Sequence, residues 1–210
     1  MKVLAFNGSP RADGNTRYAL KTVGDEIIKA GIEFEIIQVG NKSIRGCMEC
    51  MECRKNLDGR CVIDDEVNVW MQMINKADGI LLGSPVHFAG ITATMKAFLD
   101  RGFYSTASTT SLLRNKVGAA VVAVRRSGGM SAFQMLNHYL LYSEMLVATS
   151  NYWNIIHGRD IGESAKDEEG QQIMRVLGKN MAWLLQVLEA GKSKIDPVPI
   201  EAKIRTNFIR

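Results

Sequence analysis

The sequence predicts an α/β domain built on a doubly wound parallel sheet. Apolar segments of strand length alternate with amphipathic segments of helix length along the chain. The strand segments are unbroken apolar runs, such as the small and β-branched residues of 116–124. Such runs are expected when helices cover both faces of a parallel sheet. The 210 residues, of which 46% are hydrophobic, suit one domain with a sizeable core.

The elements follow one another as βα units, which is the arrangement of a doubly wound sheet. The strands are short apolar runs, and the helices carry apolar residues at helical spacing. Gly31 is expected to end the first helix, and Asp64 or Asp65 to cap the second. The predicted segments are strand 2–8, helix 14–31, strand 33–39, helix 64–78, strand 79–84, helix 90–102, strand 116–124, helix 129–145, strand 146–156 and helix 166–192.

Composition and charge narrow the class of function. The net charge is +4, and the basic residues are scattered, whereas a nucleic-acid binder concentrates them on one face. We therefore expect no nucleic-acid partner. The sequence shows neither a signal peptide nor an apolar run of membrane-spanning length, so a cytoplasmic protein without a membrane partner is expected. Clustered thiols in that compartment usually bind metal or act in catalysis.

The loop after the first strand has the composition of a phosphate site. In "GSPRADGNT" (8–16), glycines permit tight turns beside the N-terminus of the first helix. Ser9, Asn15 and Thr16 offer polar side chains there, and Arg11 adds a positive charge. Neither the P-loop nor the G-x-G-x-x-G pattern is present in this loop. An ordinary polar turn is the alternative interpretation.

Two further loops follow the third and fourth strands. "GSPVHFAG" (83–90) brings the rings of His87 and Phe88 to the carboxyl edge of the sheet, where they suit a flat heteroaromatic ligand. Taken alone, Phe88 would be assigned to the hydrophobic core and His87 to an ordinary loop. "RRSGGM" (125–130) combines positive charge with two glycines that let the backbone approach a ligand. A solvated arginine pair at a helix start is the alternative.

All four cysteines lie between positions 47 and 61, with the spacing C-x2-C-x2-C-x7-C. Zinc sites of four cysteines usually use two separated C-x2-C pairs, which this run does not provide. Three thiols at this spacing are instead typical of a ferredoxin-type run around an iron–sulfur cubane, and a turn at Asp58-Gly59 could return Cys61 to the same cluster. Zinc, unliganded thiols and an adventitious disulfide remain open.

These motifs together resemble the NADPH-dependent FMN reductase branch of the flavodoxin-like superfamily. "GSPRADGNT", "GSPVHFAGITATMKAFLDR" and "RRSGGM" stand in the order and at the intervals of that branch. The cysteine run followed by "C-x2-D-D" resembles the iron–sulfur flavoproteins within it. "SNYWNIIHGRD" and "DEEGQQIMRVLGKNMAWLL" are similar to the family's C-terminal part, so the resemblance covers nearly the whole chain.

The resemblance implies a flavodoxin-like five-stranded parallel sheet of order 2-1-3-4-5 with non-covalently bound FMN, in a homodimer or homotetramer. One departure is His87, where relatives often carry tyrosine. The implied cluster is [4Fe–4S], held by Cys47, Cys50, Cys53 and Cys61. The implied FMN contacts fall into three groups: Ser9, Arg11, Asn15 and Thr16 at the phosphate, Pro85, Val86, His87 and Phe88 along the ring, and Ser127, Gly128 and Gly129 at its other edge.

We therefore expect an FMN-dependent oxidoreductase linked to NAD(P)H or ferredoxin, which passes electrons to a redox partner protein or a small acceptor. The cofactors carry this chemistry, so no acid–base catalytic residue is expected. The alternatives are a cluster-free NAD(P)H-dependent FMN or quinone reductase, and a non-enzymatic zinc-binding α/β module. Residues 1–192 are expected to form the FMN-binding domain, with a Cys-rich insertion at 45–63, and residues 193–210 an extended C-terminal arm.

Overall fold

The computed structural model describes residues 1–107 and 112–202, together with Ile204, Thr206 and Phe208. Strands and helices alternate along the chain, as the sequence predicts. The strands are β1 (Lys2–Asn7), β2 (Glu33–Gln38), β3 (Gly79–Pro85), β4 (Val117–Val124), β5 (Leu146–Val147) and β6 (Ile155–His157). The helices are α1 (Asn15–Lys29), α2 (Glu52–Asn56), α3 (Glu66–Lys76), α4 (Ala93–Ala107), α5 (Gly129–Tyr142) and α6 (Glu168–Gly191), with a 3₁₀ turn at Glu163–Lys166.

The sheet has the order β2-β1-β3-β4-β5 and all its pairs are parallel, which confirms the predicted flavodoxin-like architecture. At the fifth position of the sheet the structure differs from the prediction of one strand within 146–156. Two short strands, β5 and β6, pair with β4 in succession, so the sheet counts six strands. Between them the chain leaves the ladder, and the side chain of Asn154 donates to the carbonyl of Ala120 at 3.0 Å.

Helices cover both faces of the sheet, as expected. Helices α1 and α6 pack on one face, where Val3 and Ala5 of β1 point into the core. Helices α3, α4 and α5 pack on the other, where Leu4 and Phe6 point inward. The ring of Phe98 on α4 lies 5.0 Å from that of Phe6 and meets Trp70 of α3 edge-on at 5.2 Å. Aromatic pairs in this geometry add to the burial that holds α4 on the sheet.

Side-chain caps define the starts of α3 and α6. Asp65 accepts a hydrogen bond from the amide of Val67 at 3.1 Å, so Asp65 caps α3. Asp167 accepts from the amide of Gly170 at 2.9 Å and caps α6 in the same way. Each cap satisfies an amide that the first turn of a helix leaves unpaired. The five-residue helix α2 lies inside the cysteine segment, where the sequence predicts no element.

The C-terminal segment beyond α6 has no regular secondary structure at 196–202, where the chain is exposed. It turns back to the body of the protein, because Arg114 donates to the carbonyl of Val198 at 2.7 Å. The domain boundary at 192 stays a prediction, and residues 203, 205, 207, 209 and 210 of the predicted arm lie outside the described residues. No helix in the described part of the chain is long and apolar enough to cross a bilayer.

The loop after β1 is held by close backbone contacts. The amide of Gly8 donates to the carbonyl of Gly83 at 2.8 Å, which continues the ladder between β1 and β3. Gly40, just beyond β2, lies so close to this loop that a Cβ atom there would come within 2.2 Å of the Ser9 carbonyl carbon. A residue with a side chain does not fit at position 40 unless the loop moves.

Gly40→Ala should therefore destabilise the protein by about 1–3 kcal/mol, the usual cost of overpacking, because the added methyl group meets backbone atoms. Gly46→Ala is the matched control, since a Cβ at position 46 meets nothing within 4 Å. Denaturant unfolding of both variants measures the difference. Equal stability of the two would contradict the close approach of the loops.

Candidate functional site

Three loops meet at the carboxyl edge of the sheet, as the sequence predicts. The hydroxyl of Thr92, which follows loop 83–90, donates to the carbonyl of Gly8 in loop 8–16 at 2.7 Å. Loop 125–130 touches loop 83–90, because a Cβ on Gly128 would lie 3.1 Å from the Cγ1 atom of Val86. The segments that carry all the proposed FMN contacts therefore form one continuous edge.

The first of these loops is a rigid cradle beside the N-terminus of α1. Ser9 is 4% exposed, and its hydroxyl oxygen accepts from the amide of Arg11 at 3.1 Å, which leaves the hydroxyl hydrogen to be donated outward. Asn7 and Gln38 fix the loop from below: Asn7 accepts from the Ser9 amide at 3.1 Å, and Gln38 donates to the Ser9 carbonyl at 2.6 Å. Helix α1 begins after Gly14, which has no side chain to cap it.

A second segment, residues 158–164, lies against this cradle. Asn15 donates to the carbonyl of Asp160 at 3.0 Å and accepts from the amide of Ser164 at 3.3 Å. The exposed side chain of Arg11 donates to the carbonyl of Arg159 at 3.2 Å. Asn15 thus ties the cradle to segment 158–164, a structural role that the sequence does not indicate. Thr16 is buried beside it, with 1% exposure.

The second loop ends in a tight turn whose conformation is unusual for its residues. The amide of His87 donates to the carbonyl of Gly90 at 2.9 Å, and the amide of Gly90 returns a bond to His87 at 3.0 Å. Phe88 and Ala89 between them have φ of +46° and +62°, the two positive values of a type I′ turn. Phe88 is fully exposed at the tip, so assigning it to the core is wrong.

The third loop borders a cavity of about 380 Å³. Gly128 has φ of +86°, a left-handed conformation that glycine adopts without strain, and α5 begins at the next residue. Ser127 is exposed at this point, and Tyr152 and Trp153 line the same cavity. The cavity is therefore bordered both by the backbone of this loop and by aromatic side chains.

The cysteine segment lies against α4, where Cys47, Cys50, Cys53 and Cys61 all line one recess of about 20 Å³. All four are thiols; Cys47 and Cys50 are exposed, and Cys53 and Cys61 are half-buried. Left-handed residues between them wind the chain tightly: Glu49 has φ of +53° and Met51 of +63°. The hydroxyl of Tyr104 on α4 donates to the Met51 sulfur at 3.4 Å, so α4 forms one side of the recess.

The recess brings the cysteines together without making them converge on one point. Within the described residues, no three His, Cys, Asp or Glu side chains are close enough to hold a metal ion. The donor set nevertheless suits a cluster, because four soft thiolates are the usual ligands of iron–sulfur centres. Binding would require the cysteine side chains to turn further toward the recess.

Arg101 of α4 lies beneath this segment, and its side chain is completely buried. It forms a two-pronged ion pair with Asp65, at 2.6 Å and 2.9 Å, and donates to the sulfur of Cys61 at 3.4 Å. Burial by itself lowers the pKa of the Arg101 guanidinium, but the hydrogen bonds to Asp65 and Cys61 outweigh it and raise the pKa above its ordinary value. Arg101 therefore stays charged at the base of the recess.

A cleft of about 1100 Å³ separates the cysteine segment from α5. Cys47 stands on one wall, and Tyr139 and Asp100 on another. Tyr139 donates to Asp100, which also binds Lys96 at 2.8 Å. Burial and the bond to Asp100 raise the pKa of Tyr139 to about 12, so the hydroxyl stays protonated over the physiological range.

Residues 1–160 match the model of the NADPH-dependent FMN reductase family. The chain belongs to this family. Over 202 residues it is 34% identical to an iron–sulfur flavoprotein of Methanocaldococcus jannaschii, a match that spans 90% of this chain and 100% of the relative. This match places the chain in the iron–sulfur flavoprotein branch of the family, as its motifs predict.

Solved structures show the same fold. A flavodoxin from the domain Archaea superposes with a TM-score of 0.58 at 17% identity, over 89% of this chain and 99% of that one. An NAD(P)H:quinone oxidoreductase from Methanothermobacter marburgensis superposes with a TM-score of 0.67 at 17% identity, over 86% of this chain and 96% of that one. At such identities the likeness establishes the flavodoxin-like fold alone.

The residues that sequence reasoning missed are those that support the two sites. Asn7, Gln38 and Thr92 brace the first loop, and Arg101 and Asn68 brace the cysteine segment. For Arg101 the sequence does contain a signal: it lies three residues after Phe98, on a helix whose inner face is apolar. A charge in that position requires buried partners.

Ala89→Gly should stabilise the protein by about 0.5–1 kcal/mol, because glycine accepts positive φ without the steric cost that alanine carries. The control is Ala97→Gly, an interior position of α4 where glycine should destabilise by a similar amount. Thermal or denaturant unfolding reports the sign of each change. A loss of stability in Ala89→Gly would exclude the strained turn.

Proposed function

We propose that this protein is an FMN-dependent electron-transfer oxidoreductase that also carries a [4Fe–4S] cluster on its four cysteines. The observation that carries the proposal is the pairing of two features in one member of the FMN reductase family. Three ligand-type loops share the carboxyl edge of the sheet, and all four cysteines line one recess against α4. FMN supplies two-electron and one-electron steps when bound, and a cubane supplies one-electron steps.

The first loop is suited to the FMN phosphate. The Ser9 hydroxyl, the uncapped start of α1 at Asn15 and Thr16, and the charge of Arg11 would surround it. Asn15 would act there mainly through its backbone amide, because its side chain already binds residues 160 and 164. A site that accepts one phosphate group favours FMN over FAD.

The other two loops are suited to the isoalloxazine ring. Pro85, Val86 and the exposed rings of His87 and Phe88 would lie along it. Ser127, Gly128 and Gly129 would close its opposite edge, where the positive φ of Gly128 brings backbone close to Val86. The two backbone hydrogen bonds between His87 and Gly90 would fix the turn from which the exposed Phe88 ring meets the flavin.

The cysteine recess supports a cluster more than it supports zinc. Four thiols on a segment of C-x2-C-x2-C-x7-C spacing surround one recess, and their exposure would let electrons pass to a partner at the surface. The alternative is a cluster-free NAD(P)H-dependent FMN or quinone reductase. It is favoured by one observation, that no three candidate metal ligands among the described residues converge.

The electron donor and the assembly state are further parts of the proposal. NAD(P)H is the proposed donor, in line with the family's name, and ferredoxin is the alternative that a cluster would serve. The acceptor would be a redox protein or a small molecule that reaches the exposed Cys47 and Cys50. A homodimer or homotetramer and a cytoplasmic location complete the proposal, and neither a nucleic acid nor a membrane partner is expected.

Anaerobic purification, followed by flavin, iron and labile-sulfide analysis, tests the proposal. We expect one FMN per chain and a broad iron–sulfur absorbance after reconstitution with iron and sulfide. Cys61→Ser should lose most of this absorbance, since a hard alkoxide replaces a soft thiolate, yet keep its FMN, because the FMN loops contain no cysteine. FMN without iron or sulfide would favour the cluster-free reductase, and FAD would contradict the phosphate assignment.

Arg11→Ala should weaken FMN by roughly 1.5–3 kcal/mol and leave riboflavin nearly unaffected, because only FMN carries the phosphate that Arg11 is proposed to meet. Arg175→Ala, which removes an exposed arginine from α6, is the control for net charge. Fluorescence titration of the flavin-free protein gives both dissociation constants. If Arg11→Ala weakens both flavins equally, the arginine acts elsewhere.

A further inference from the structure

We infer that Arg101 is the positioning residue of the cysteine site: it fixes both ends of the segment and, through its bond to Cys61, tunes the group that the cysteines hold. The inference rests on the proposed function for the identity of that group. It goes further by assigning a role to a residue on another element, one that is not itself a ligand.

The contacts of Arg101 span the whole cysteine segment. Its guanidinium has five N–H groups, and each has an acceptor. Two bind the carboxylate of Asp65, one binds the sulfur of Cys61, and the others bind the carbonyls of Arg45 and Ile63, at 3.3 Å and 3.0 Å. Arg45 precedes the first cysteine, and Ile63 and Asp65 follow the last. One side chain therefore joins the start of the segment to its end.

A lysine or a neutral residue could not make this set of contacts. The guanidinium is a rigid planar fork, and its two-pronged contact with Asp65 fixes its plane. That plane directs the Nε–H group toward the sulfur of Cys61. Asn68 supports the same end of the segment, since its side chain accepts from the amide of Cys61 at 2.8 Å and donates to the carbonyl of that residue at 2.9 Å.

Two consequences follow for a group bound by the thiols. The first is that these contacts hold the segment against α4 and keep the four cysteines around one recess. In addition, a hydrogen bond to a ligand sulfur and a nearby positive charge both favour the reduced form of an iron–sulfur centre. Asp65 lies on the side of the guanidinium away from Cys61 and reduces the charge without removing the bond.

Arg101→Lys and the double variant Arg101→Met with Asp65→Asn test this role in the full-length protein. The double variant removes the charges of the buried Arg101 and the partly buried Asp65 together, and asparagine can still cap α3. We expect the double variant to release iron to a chelator on the order of 10–100-fold faster than the parent, with Arg101→Lys in between. Its iron centre should have a more negative midpoint potential, and its FMN content should be unchanged.

Arg54→Gln is the matched control, because Arg54 is an exposed arginine of the same segment, stacked 4.7 Å from the ring of Tyr104. It should lose iron at the parental rate. Amide hydrogen exchange of metal-free protein gives a readout independent of iron: residues 45–65 should exchange faster in the Arg101 variants and normally in Arg54→Gln.

Parental iron release and parental exchange in the double variant would overturn the inference. If the parent itself takes up no iron, the proposed function fails in its cluster part. The exchange measurement still decides whether Arg101 organises the segment, so the two failures are distinguishable.

Discussion

The packing of α4 against the sheet fixes both candidate sites at once. Met95, Phe98 and Leu99 of this helix are fully buried, and Phe98 is held between Phe6 of β1 and Trp70 of α3. At the start of the helix, Thr92 binds the Gly8 carbonyl in the first loop. Two turns further on, Arg101 binds the cysteine segment. From Ala93 to Arg101 the helix rises about 12 Å, so a single rigid rod sets the spacing of the two sites.

Conformational strain is concentrated in these same two places. Of the seven non-glycine residues with positive φ in the described part of the chain, five lie in the turn at Phe88-Ala89 or in the cysteine segment, at Glu49, Met51 and Leu57. Each such residue costs on the order of 1 kcal/mol and persists only where the surroundings hold it. The sheet and the long helices are regular by comparison. Strain confined to two loops on a regular scaffold is the distribution expected where function requires unusual backbone geometry.

The sequence predicts the scaffold well because local patterns determine it. Apolar runs and helical periodicity mark every long element. The position before α3 limits the cap to Asp64 or Asp65, and the structure shows that it is Asp65. The split of the fifth strand could not be predicted, because it depends on a tertiary bond from Asn154 to the neighbouring strand. The exposure of Phe88 could not be predicted either, because a turn with two positive φ values is normally recognised in a sequence by glycine or asparagine, and neither occupies positions 88 and 89.

For the sites, the sequence names the residues that we propose to touch ligands and omits those that support them. Cysteines, glycines and loop polar residues stand out by type and spacing, and the family motifs place them. Gln38 and Arg101 act through partners between 29 and 56 positions away, and no local pattern reports such distances. The structure supplies that information because the parallel sheet brings the ends of β1, β2 and β3 to one edge.

The ion pair between the buried Arg101 and the partly buried Asp65 favours one path for the cysteine segment. Burying an ion pair contributes little net stability, because desolvation offsets the attraction, whereas removing one partner costs about 3–5 kcal/mol. The pair therefore adds little to the free energy of unfolding, but it raises the free energy of any chain arrangement in which one of the two charges loses its partner. A segment with almost no buried apolar side chains, in which only Gly59 is buried between residues 47 and 61, has no core of its own to select a conformation. Instead, the conformation is selected because any other path of the segment would leave the charge of Arg101 without its partner.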